Sequence, residues 1–256
     1  MEIGEHKNSR RGTGGDLSKA LWLARMDIRK SWISFPVATL TAIIPGLYLV
    51  VLYSGVFGGS AGYFERFLLD VWFLLMVTVL NVNFLFNRDY YYRFDADNYT
   101  KRLSFLRSLP ITPRAVVGGR AMYMTVALIC NAPSFFLVPY LADADLRSVI
   151  GPLDYMWFIG IWIGYALLMM GFLLFMWNGL SWEAEKWMIP IFYSGGCLGV
   201  AITSNLMLDD GLTMVLIRIA ISQGLLAAAT SLAVGCATLV LWTALAQKWL
   251  GKRELG

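Results

Sequence analysis

Six stretches of this chain are apolar for long enough to cross a lipid bilayer, and its charged residues gather almost wholly between them. A hydrocarbon core of roughly 30 Å asks for about 20 apolar helical residues. The first stretch, Phe35–Phe57, is broken by Pro36 and Pro45. The second covers 67–86 and carries Asp70 near one end. The others cover about 115–141, 153–180, 188–208 and 221–247. Backbone groups in hydrocarbon must pair within their own segment or in a closed barrel. The apolar runs are continuous and lack the period-two alternation of barrel strands. The expected fold is therefore all-α and integral to the membrane, with six transmembrane helices. It divides into a cytoplasmic tail with an amphipathic helix (1–33), a transmembrane domain (34–250) and a short cytoplasmic C-terminus (251–256).

Composition agrees with that pattern. Of the 256 residues, 58% are hydrophobic and 15% charged, with a mean hydropathy of +0.60. A soluble domain carries roughly 45–50% apolar and about 25% charged residues. Lysine and arginine set the orientation. With the N-terminus in the cytoplasm, all but Arg66, Arg147 and Arg218 of the 21 basic residues fall on the inner side. Both termini are then expected in the cytoplasm of a multi-pass protein of the cell membrane. The basic balance serves topology, so no nucleic-acid partner is expected. The first apolar run and the tail before it are too long for an ordinary signal peptide.

Two segments outside the spans are amphipathic. Residues 16–32 open on Asp16 as a capping residue and space Leu17, Ala20, Leu21, Ala24, Ile28 and Trp32 at helical intervals. Trp22, Arg25, Arg29, Lys30 and Trp32 suit an elbow helix in the interfacial plane against membrane lipids. Such a helix is either a surface anchor alone or also a contact for a cytoplasmic partner. Residues 2–15 read as a loose tail. The loop 87–113 is the one long cytoplasmic excursion, with a short helix that Pro110 stops. Thr112-Pro113 then starts the third span, a capping hydroxyl followed by proline at the first helical position. This loop either lies on headgroups or fits a groove on another protein, with Phe105 and Leu106 as anchors.

Polar groups within the spans are sparse. Asn81, Asn83 and Asn131 either tie helices together or line a substrate path. Gly160-x-x-x-Gly164 and Gly195-x-x-x-Gly199 permit close helix approach. The tryptophans read as interface belts. Residues 212–219 are too short to cross and suit an outer interfacial or re-entrant helix. Asp70 stands alone, which leaves no proton relay.

The chemistry of an enzyme is missing from the sequence. Its one histidine is His6 in the tail, which rules out a serine–histidine dyad or a histidine metal site within the spans. Cys130, Cys197 and Cys236 are single, each within a span, so no metal site or disulfide framework is expected. Glu183 and Glu185 are read as part of a solvated cytoplasmic turn. No P-loop motif occurs, so the chain is not expected to be an enzyme by itself or to bind ATP.

Tyr99 through Val117, with Leu106-Arg107-Ser108-Leu109-Pro110-Ile111-Thr112 at its centre, resembles the cytoplasmic loop of ABC-2 type transporter permeases. The order of elbow helix, six spans, inner termini and short outer helix agrees with that family's plan. The resemblance implies the membrane subunit of an ABC exporter for amphiphilic cargo such as a peptide, lipid or drug. A separate ATP-binding cassette subunit would supply ATP and magnesium, and a second permease chain would complete the path. It also implies that Lys101, Arg102, Phe105, Leu106, Arg107 and Leu109 form the coupling helix, between spans two and three, that contacts the ATPase. The alternative is an ATP-independent membrane protein: a secondary transporter, or a binding or immunity protein.

Overall fold

Runs of Leu, Ile, Val and Phe leave the backbone no partner in lipid but itself, and helices follow. The computed structural model describes residues 12–57, 62–80, 111–179, 182–208 and 210–252. These hold eight helices: α1 Gly12–Lys30, α2 Ser34–Phe57, α3 Tyr63–Val79, α4 Pro113–Ala142, α5 Ala144–Val149, α6 Pro152–Gly179, α7 Trp182–Met207 and α8 Leu212–Lys252. No strand occurs among the described residues.

Four helices are long and apolar enough to cross a membrane: Phe35–Phe57, Pro113–Ala142, Pro152–Asn178 and Leu212–Gly251. This is fewer than the six spans expected. Helix α3 has 17 described residues, and the end of the expected second span (81–86) lies outside the described residues. Helix α7 has 26 residues but is diluted by Ser194, Gly195, Gly196, Gly199, Thr203, Ser204 and Asn205.

Helix boundaries differ from the sequence reading in three places. Helix α1 begins at Gly12, so Asp16 lies inside it rather than capping it. The Asp16 carboxylate instead accepts from the hydroxyl of Thr112, just ahead of α4, at 2.7 Å. Trp32 falls past the helix end, in the turn before α2. Glu183 and Glu185, read as a turn, belong to the first turns of α7.

Other local signals appear where the sequence put them. Thr112 has extended backbone (φ −76°, ψ 152°), its hydroxyl accepts from the Ala115 N–H at 3.2 Å, and Pro113 opens α4. Helix α8 breaks at Gln223 (φ −135°, ψ 26°), leaving a short helix of 212–222 ahead of a long one. The break falls just after the segment 212–219 that the sequence sets apart from the last span.

Helix α8 packs along α6, α1 and α2 both lie on α4, and α3 sits beside α7. The α6–α8 seam is built from small residues. A Cβ on Gly160 would lie 3.0 Å from the Ala228 Cβ, and one on Gly171 would lie 2.9 Å from the Leu239 Cα. A Cβ on Gly235 would fall on the Gly164 carbonyl oxygen, well inside contact distance. Lipid tails are as apolar as leucine, so close backbone approach and dispersion hold such pairs together. Nearby, Phe73 centres an aromatic core, with ring centroids 4.8 Å from Trp162, 5.6 Å from Phe158 and 5.9 Å from Phe135. Each well-oriented ring pair adds about 0.5–1.5 kcal/mol beyond its buried area.

Candidate functional site

Charge separates the two ends of the bundle. Lys19, Arg25, Arg29, Lys30, Arg114, Arg120 and Lys248 belong to the end where α1 and α4 start and α8 finishes. At the opposite end stand Arg66, Arg147 and Arg218 among Asp143, Asp145, Asp154 and Asp210.

At the basic end, the Thr112–Asp16 bond clasps the start of α4 to α1. Arg114, Gln247 and Lys248 line a hollow beside it. Below the clasp, Leu23 of α1, Val116 and Val117 of α4, and Ala246 and Leu250 of α8 form one buried cluster. The start of α4 is therefore held to α1 by the Thr112 bond and to α1 and α8 by the cluster.

At the acidic end Asp70 is not alone. It is 1% exposed. One carboxylate oxygen accepts from the Asn205 amide and from the Leu212 N–H, each at 2.7 Å, and the other accepts from the Thr213 N–H at 2.7 Å. An acid on α3 thus caps the N-terminus of α8, where the helix dipole favours negative charge. Gly211 makes the turn possible with φ +79°, and a Cβ there would meet the Asp70 carboxylate at 2.9 Å. Asp210 pairs with Arg66 at 3.2 Å and also with Arg218. No spacing rule in the sequence joins positions 70, 205 and 212, so only the fold reveals this knot.

Between the two ends, α3, α6, α7 and α8 line an open-sided apolar cavity of about 490 Å³. Leu74, Trp162, Cys197, Val200 and Leu216 form much of its wall. Two of its polar groups are hydrogen-bonded, while the buried Trp162 indole N–H meets no acceptor among the described residues. The Tyr165 hydroxyl lies 3.1 Å from the Leu74 carbonyl oxygen and 3.8 Å from the Cys197 sulfur, and the Ser231 hydroxyl donates to the Ile161 carbonyl at 2.8 Å. Such a space suits an apolar group.

Of the residues singled out from sequence, Asn131 is buried and ties three segments. Its amide donates to the Leu80 carbonyl at 3.1 Å, and its oxygen accepts from Thr39 at 3.1 Å. That is a packing role. Trp22 and Arg25 are exposed on α1, Arg29 and Lys30 end it, and Trp32 is exposed beyond it. Asn81, Asn83, Lys101, Arg102, Phe105, Leu106, Arg107 and Leu109 lie outside the described residues. The Gly160/Gly164 pair packs as expected, Gly160 against Ala228 and Gly164 against Ser231 and Gly235. Nothing stands within 4 Å of a Cβ on Gly195 or Gly199. No group of three His, Cys, Asp or Glu among the described residues could hold a metal ion. Comparison with protein-family models, characterised proteins and solved structures finds no match to this chain.

Proposed function

We propose that this chain is the permease subunit of an ATP-driven exporter of the ABC-2 type, moving an amphiphilic molecule outward. It spans the cell membrane six times, α3 and α7 joining the four apolar helices, with both termini in the cytoplasm. A separate ATP-binding cassette subunit hydrolyses ATP with magnesium, and a second permease chain, identical or paralogous, faces this one across the path. The coupling helix around 101–109 sits in the ATPase groove through Lys101, Arg102, Phe105, Leu106, Arg107 and Leu109.

The observation that carries this reading is the Asp16–Thr112 clasp. Thr112 lies three residues past Leu109, so a push on the coupling helix reaches α4 directly and α1 through that bond. The buried cluster below passes the displacement to α8. The apolar cavity among α3, α6, α7 and α8 supports a cargo with a hydrophobic portion.

Purification in mild detergent tests the partnership: a co-eluting chain of ATPase-domain size supports it, and its consistent absence favours an ATP-independent protein. In the reconstituted complex, charge reversal at Arg102 or Arg107, or Phe105→Asp, should uncouple ATP hydrolysis from transport while the bundle stays folded. Unaltered transport in all three variants overturns the coupling assignment.

A further inference from the structure

A second hollow, about 1130 Å³, opens where α1 leans on α4 at the basic end. Gly118 and Gly119 let the helices approach there: a Cβ on Gly119 would lie 3.0 Å from both the Ala20 carbonyl oxygen and the Leu23 Cβ. The hollow's lining has two characters. Ser18, Trp22 and Arg25 of α1 with Thr125 of α4 supply polar and amphipathic groups, while Met122 and Val126 of α4, with Leu21 and Ile28 of α1, supply apolar surface.

Depth follows from helix lengths. Helix α4 has 30 residues, about 45 Å at 1.5 Å per residue, against a hydrocarbon core of roughly 30 Å. The surplus lies at its start, because Phe35, the first residue of the first apolar span, touches Tyr123 with ring centroids 5.5 Å apart. Residues 113–122 therefore stand at headgroup depth, and the hollow runs from headgroups at Arg25 into acyl chains at Val126. Arg25 is exposed and forms no ion pair or hydrogen bond among the described residues. A guanidinium at that depth binds phosphate through paired N–H groups, and Trp22 beside it suits the same interface.

We propose that this hollow is a binding site for one anionic phospholipid of the leaflet at the basic end. The headgroup phosphate sits on Arg25, Trp22 covers the glycerol region, and an acyl chain lies along Met122 and Val126. Polyvalent soluble anions lack the apolar portion that this wall would cover. The site needs the membrane placement of α4 and is independent of the exporter reading.

The full chain, purified in mild detergent, is titrated with phosphatidylglycerol or phosphatidylcholine and the retained lipid counted by native mass spectrometry. Phosphatidylglycerol should be retained preferentially, and Arg25→Glu should weaken that retention about fivefold or more, the equivalent of ~1 kcal/mol. Arg29→Glu on the same helix carries the same charge change outside the hollow and should retain the lipid. Gly118→Leu, which fills the hollow, should lose it. Equal losses in the two arginine variants reduce the effect to general surface charge and overturn the site, as does full retention by Gly118→Leu. A photoreactive phosphatidylglycerol bound to the unmutated chain gives an answer that does not depend on variant folding. Adducts concentrated in 18–28 and 118–126 support the site, and adducts elsewhere only overturn it.

Discussion

Replacing Asp70 by alanine strips the acceptor from three donors at once: the Asn205 amide and the N–H groups of Leu212 and Thr213. The carboxylate is buried, so water does not take its place without rearrangement. A buried donor left unmet costs about 1–3 kcal/mol, and the lost charge at the α8 N-terminus adds about 0.3–2 kcal/mol. Three donors and the dipole together give a destabilisation on the order of 4–6 kcal/mol after partial relaxation. Asp70→Asn keeps one oxygen for two of the bonds and turns an amide toward the third donor, so about 2–3 kcal/mol is expected. On the scale of about 2–4 °C per kcal/mol for a chain of this size, the midpoint should fall by roughly 10–15 °C for alanine and about 5–8 °C for asparagine. Cys197 is buried while Cys130 and Cys236 are exposed. In a Cys130→Ser/Cys236→Ser background, a thiol-reactive dye therefore reports unfolding through Cys197 alone. An alanine variant melting within a degree or two of its parent would refute the cap. Asn205→Ala removes one of the three bonds, so its effect should shrink by at least half once Asp70 is already alanine.

Four further outcomes follow from the same geometry. Gly235→Leu forces a side chain onto the Gly164 backbone and should cost 3 kcal/mol or more by overpacking, about the upper limit for such changes. Gly195→Ala and Gly199→Ala lie inside α7 with open space around them and should not lower the melting midpoint of the detergent-solubilised chain, each adding up to about 1 kcal/mol by restricting the unfolded backbone. Gly211→Ala combines a left-handed backbone (φ +79°) with a contact at 2.9 Å on Asp70, and should lower stability by about 1–2 kcal/mol through the backbone alone, readable in the same dye assay. Asn131→Leu breaks the ties to Thr39 and Leu80; at about 0.6 kcal/mol per interhelical hydrogen bond in lipid, the midpoint should drop by only a few degrees, and hydrogen exchange should quicken at the end of α3.

The hydrophobic pattern alone determined that this is a helical membrane protein, because backbone in lipid has few ways to satisfy itself. It also located the Thr112–Pro113 helix start and the short segment ahead of the last span, since caps and breaks depend on neighbours in sequence. The pattern did not decide α7, where serine, glycine and asparagine blur the boundary between a span and a polar helix. Tertiary structure alone decided what Asp70 does. Its partners come from the far end of α7 and the start of α8, and contacts between residues so distant along the chain leave no periodicity to read. The clasp of Asp16 on Thr112 belongs to the same class. A residue's type and spacing fix what it is able to bind, whereas the packing of whole helices fixes which partner arrives.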